Sequence, residues 1–150
     1  MADNNTAHIF LTGYSIKEIN DFSIINDSDF VITTNFGVLH KYIAGRANAY
    51  FVNNSGNIRL IVNGRLCIKT ADANTKNNCV FYVKKSYEKF IQSTSPSRNY
   101  VIVKNRFSWL GRFNKKIKIE SSTAFSIFKL LNDLGYNTIY LWGADYILDE

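Results

Sequence analysis

One hundred and fifty residues, 46% hydrophobic and 20% charged, suit a single globular domain. A chain of this size buries enough surface to need no disulfide or metal for stability. The net charge of +6 and pI near 9.3 exclude an acidic surface. They favour either a solubilising basic surface or attraction to anions such as a nucleotide, a nucleic acid or an anionic membrane.

The N-terminus, MADNNTAHIF, has neither the basic region nor the long apolar region of a signal peptide. No apolar run approaches the length of a membrane span. Cys67 and Cys79 lack a CxxC spacing and have no neighbouring His, which argues against a metal site. The expectation is a cytoplasmic protein with free thiols.

His8–Thr12 is a short apolar run before Gly13 and reads as a buried first strand. Ser15 follows as a helix N-cap, with Glu18 at the capping-box spacing, for a short helix over Ser15–Asn20. Asp29–Thr34 is a second strand, ending at Asn35-Phe36-Gly37. Val38–Gly45 reads as a short helix closed by Gly45, and Ala49–Val52 as a third strand before a turn at 53–56. Asn63-Gly64 between Ile58–Val62 and Arg65–Ile68 is a strong hairpin signal, with a strand and a helix start as the other reading. Ala71–Asn78 is polar and loop-like. Val80–Lys84 is a strand, Tyr87–Gln92 a short helix, Ser93–Arg98 a loop and Tyr100–Val103 a strand.

Asn105–Ile119 interleaves Arg106, Arg112, Lys115, Lys116 and Lys118 with Phe107, Trp109 and Phe113. Such a pattern suits single-stranded nucleic acid, a membrane interface or a solvated loop. Ser122–Leu134 is the clearest helix, with Phe125, Phe128, Leu131 and Leu134 on one face. It ends at Gly135, and Thr138–Trp142 is the last strand before Gly143-Ala144-Asp145. Strands alternating with helices predict an α/β, Rossmann-like single domain with a mostly parallel sheet, its middle either a hairpin or a strand and a helix start. In such a fold, ligands bind outside the carboxyl ends of the strands. Small and polar residues populate those positions here.

The segments IFLTGYSIKEI, DFVITTNFG, YIAGRANAYF and SSTAFSIFKLLNDLGYNTIYLWGADY together resemble the bacterial sialyltransferases of glycosyltransferase family 42. They also resemble the wider Rossmann-like set that includes the archaeal pterin diphosphokinases. The resemblance covers roughly residues 8–52 and 117–146. It implies transfer of sialic acid from a CMP-sugar donor to a galactose-type glycan acceptor, without a required metal or other cofactor. It further implies a bacterial role in lipopolysaccharide biosynthesis and peripheral contact with the inner membrane. Matched by position, the donor-binding residues are Gly13, Ser15, Asn35, Ser122, Thr123, Ala124, Asp145 and Tyr146. The unpaired amides of a helix start attract anions, which suits Ser122–Ala124 to a phosphate.

The first turn, Gly13-Tyr14-Ser15, is two residues shorter than the family's Gly-Asn-Gly-Pro-Ser and lacks its Asn. Ile147 stands where the family has a functional Tyr, with Tyr146 beside it. The family's general-base His lies well beyond the position matched by Asp145. Of the two histidines here, His40, five residues past Asn35, is the candidate base. The alternatives are a truncated, non-catalytic nucleotide- or glycan-binding relative, and a nucleic-acid or membrane-surface module built on residues 106–118. An unfinished sheet edge further suggests a homo-oligomer.

Overall fold

The computed structural model describes residues 5–52, 58–103 and 123–144. Six strands form one sheet: β1 (Thr6–Phe10), β2 (Phe30–Thr34), β3 (Ala49–Val52), β4 (Val80–Val83), β5 (Tyr100–Ile102) and β6 (Thr138–Trp142). The order is β5-β4-β3-β2-β1-β6, and every pairing is parallel. The α/β, Rossmann-like architecture is therefore present. Short apolar runs such as AHIF, VITT and AYFV suit this arrangement, because a parallel sheet is covered on both faces.

Among the described residues, four helices pack on the sheet: α1 (Lys41–Arg46), α2 (Ile58–Asn74), α3 (Glu88–Thr94) and α4 (Thr123–Asp133). Strand alternation divides the core. On one face, Tyr50, Val52, Phe81 and Val83 pack with Cys67, Ile68 and Ala71 of α2 and with Ile91 of α3. The same face continues toward β1, where Phe10 and Val31 meet Ile16, Ile25 and Ile43. On the opposite face, Ala7, Ile9, Ile32, Ala49 and Phe51 receive Ile127 and Leu131 of α4. Both cysteines are buried and free. Burial pushes the Cys79 thiol up to about 11.

The stretch around Asn63-Gly64 is not a hairpin. Both residues lie inside α2, which also takes in the first four residues of the expected loop at Ala71–Asn78. Gly64 is there for packing rather than for a turn. A Cβ at this position would overlap the hydroxyl of Tyr87 and lie 2.6 Å from its Cζ. Two shorter expectations also change. The first helix is a single 3-10 turn, Tyr14–Lys17, whose N-cap is Gly13 rather than Ser15. The expected helix Val38–Gly45 is a 3-10 turn, Asn35–Leu39, followed by α1, with Gly45 inside the helix.

The end of α4 conforms to its sequence. Gly135 adopts φ +87. Its amide bonds the Asn132 carbonyl at 3.0 Å, and the Tyr136 amide bonds the Leu131 carbonyl at 3.0 Å. This is the paired bonding by which a left-handed glycine closes a helix.

The two helical glycines should respond oppositely to alanine. Gly45→Ala meets nothing within 4 Å and should stabilise by about 0.5–1 kcal/mol through helix propensity. Gly64→Ala gains the same propensity, but overpacking against Tyr87 costs about 1–3 kcal/mol. Denaturant unfolding should therefore show Gly64→Ala as the less stable variant.

Candidate functional site

Strands β1 to β5 step across the sheet in one direction, and the chain then returns to lay β6 on the free side of β1. The carboxyl ends of β1 and β6 are thus the topological switch point, where open α/β sheets leave a crevice. The register pairs Phe10 with Trp142. Beyond it, the Leu11 amide bonds the Trp142 carbonyl at 3.0 Å and the Gly13 amide bonds the Gly143 carbonyl at 2.9 Å. Gly143 has φ +66, and a Cβ there would lie 3.2 Å from the Leu11 carbonyl and 3.4 Å from the Gly13 amide nitrogen. A side chain would push the two loops apart, so glycine is required on both counts.

Asn35 stands at the carboxyl end of β2, beside β1. Its φ is +48, the one left-handed backbone among the described non-glycine residues. Such a conformation is uncommon outside glycine, and Asn tolerates it better than most. The surroundings hold it there. Tyr50 donates its hydroxyl to the Asn35 carbonyl at 3.1 Å, and Thr34 donates its own to the Phe51 carbonyl at 2.7 Å. Thr33 donates to the Phe10 carbonyl at 3.2 Å and sits where a Cβ on Gly37 would collide with it. The Asn35 side-chain oxygen is buried and has no hydrogen-bond partner.

His40 follows on the same edge. Its amide bonds the Gly37 carbonyl at 3.2 Å. Its ring meets Phe22 edge-on at 5.4 Å, and Phe22 in turn packs on Trp142 at 6.0 Å and stacks on Tyr42 at 4.2 Å. His40 Nδ1 is buried and without a partner. Buried polar atoms are ordinarily paired, so two orphans at one edge of the sheet call for an explanation.

Thr123 and Ala124 open α4. Because α4 leads into parallel β6, its N-terminus lies at the carboxyl edge of the sheet, across the sheet from His40. By topology Gly13, Ser15, Asn35, His40, Thr123 and Ala124 all lie toward the carboxyl edge of the sheet, on its two faces, and Gly13 is joined directly to Gly143. Ser122, Asp145 and Tyr146 lie outside the described residues, as does the basic segment 106–118.

The sequence reading missed the polar support beneath this edge. His8, fully buried in β1, accepts a hydrogen bond at Nδ1 from Trp142 Nε1 at 3.1 Å. The indole can only donate, so the imidazole proton is on Nε2. From there it faces the Asp29 carboxylate at 3.0 Å. His8 also stacks on Tyr140 at 5.0 Å. Burial raises the Asp29 pKa, but the Asn26 amide and the His8 ring more than offset this, leaving it below the ordinary 3.8. A His on a buried strand, followed by an Asp at the mouth of the next, was the available signal.

No group of three or more His, Cys, Asp or Glu side chains able to hold a metal occurs among the described residues. No described helix is long and apolar enough to cross a membrane. Comparison of the chain with protein-family models, curated proteins and solved structures finds no match.

Asp29 gives the site a pH signature. Its folded pKa is depressed, so it stabilises the fold above its unfolded value and that stability is lost as pH falls through the folded one. The Tm of the wild type should fall as pH drops below about 4. Asp29→Asn should flatten this acid limb and lower the Tm at pH 7, since it leaves His8 facing an uncharged partner.

Proposed function

We propose that the switch-point edge binds a nucleotide-sugar, and that the protein is glycosyltransferase-like, of the kind that uses a CMP-sialic acid donor and a galactose-type acceptor. The observation that carries the reading is Asn35. A backbone conformation this unfavourable is retained where the surroundings over-determine it, and such residues cluster at ligand clamps. The side-chain oxygen that it presents is buried and unpaired at the carboxyl end of a strand next to the switch point. An exocyclic amine or a sugar hydroxyl of the donor would supply the missing hydrogen.

In this reading Thr123 and Ala124 receive the donor phosphate at the start of α4, because the positive end of a helix dipole attracts anions and a small side chain permits close approach. Gly13 and Gly143 hold the β1 and β6 loops in direct contact beside it. The acceptor hydroxyl attacks the anomeric carbon, the carbon–oxygen bond to the phosphate breaks, and CMP leaves. His40 takes the hydroxyl proton.

Calorimetric titration with cytidine, adenosine and guanosine monophosphates tests the binding half. Selective cytidine binding is expected, weakened by about tenfold in Asn35→Ala and in Thr123→Ala but unchanged in Lys115→Ala/Lys116→Ala. His40→Ala should keep nucleotide affinity and lose donor turnover. Affinity that follows the lysine variants instead would sink this reading in favour of a basic binding segment.

A further inference from the structure

The outer face of α2 is not accounted for by the core. Ile58, Val62 and Leu66 recur every fourth residue and are 75%, 57% and 54% exposed. With Arg59 they line an open groove of about 340 Å³. Helical periodicity puts this aliphatic ridge at the middle of the outward stripe, with Arg59 on one flank and Arg65 and Lys69 on the other. No acidic residue occurs between Ile58 and Ala71.

The basic flank continues onto the next elements. Arg65 lines a second groove of about 570 Å³ together with Lys85 and Lys89. Arg65 and Lys69 both lie over the Phe90 ring, 5.4 and 6.0 Å from its centroid. Glu88, the one carboxylate lining this groove, is paired with Lys85.

Exposed apolar surface rimmed by charge marks an interaction site. A second copy docked ridge to ridge would bring Arg59, Arg65 and Lys69 against the same cations, and the one carboxylate of the helix, Asp72, is already bonded to Arg98 and Ser95. A nucleic acid would satisfy the cations and leave three aliphatic side chains in water. An anionic bilayer surface satisfies both, because its phosphates lie just above the acyl boundary that takes aliphatic groups. We propose that α2 is a membrane-docking helix. Ile58, Val62 and Leu66 enter the headgroup–acyl boundary of an anionic bilayer, while Arg59, Arg65 and Lys69 pair with lipid phosphates. This stands independently of the nucleotide-sugar reading.

Co-sedimentation of the full chain with lipid vesicles tests it. The protein should pellet with vesicles of phosphatidylcholine and phosphatidylglycerol, and not with phosphatidylcholine alone, and added salt should weaken the binding. Val62→Ser/Leu66→Ser should reduce binding about tenfold or more through lost apolar burial. Arg65→Gln/Lys69→Gln should do the same through lost charge. All four side chains are exposed, so circular dichroism and Tm should stay as in the wild type. Failure to pellet with the mixed vesicles would overturn the proposal. So would binding left unchanged by both double variants, which would assign it to another segment. Self-association abolished by Val62→Ser/Leu66→Ser, without vesicle binding, would give the face to a second copy instead.

Discussion

The return of the chain to pair β6 with β1 is the constraint on which the site depends. It brings two loops, distant in sequence, into direct contact through the Gly13 amide and the Gly143 carbonyl, at 2.9 Å. Without that pairing, β1 would be an open edge and its carboxyl end would face solvent on one side. With it, the carboxyl ends of β1 and β6 form the topological switch point, where open α/β sheets bind their ligands.

This edge rests on a buried polar relay rather than on aliphatic packing alone. Trp142 donates to His8, and His8 faces Asp29. This fixes the ring at the end of β6 against β1 and β2 together. The aromatic contacts of Trp142 with Phe10, stacked at 5.3 Å, and with Phe22 then extend the order to His40. A buried hydrogen-bonded histidine costs little when both nitrogens are engaged, and it specifies one arrangement of its neighbours. The same core leaves Asn35 in its left-handed conformation with an unpaired oxygen. The fold tolerates that local cost beside the place where a ligand would sit.

Much of the fold is legible in local chemistry. The apolar runs at β1, β2, β3 and β6 are strands, and Gly135 closes α4, because these signals depend on neighbours in sequence. The reading of α2 as a hairpin failed for a physical reason. Its outward face carries Ile58, Val62 and Leu66, so it lacks the polar contrast that marks an ordinary surface helix. Its Gly64 answers to Tyr87, a contact that no local pattern reveals. The site was half legible. Asn35 and Gly13 stand out as small or turn-forming residues at strand ends. The closure of Gly13 on Gly143 and the Asp29–His8–Trp142 relay join residues from separate strands, and only the sheet order creates them.

On the proposed reading the switch-point edge binds the nucleotide and the basic grooves of α2 do not. The most direct measurement is a titration of the isotope-labelled protein with cytidine monophosphate, followed by amide chemical shifts. Concerted shifts at Gly13, Asn35, Thr123 and Gly143 are expected if the nucleotide sits at this edge. Shifts confined to Arg65, Lys69 and Lys89, or no shifts at all, would contradict it.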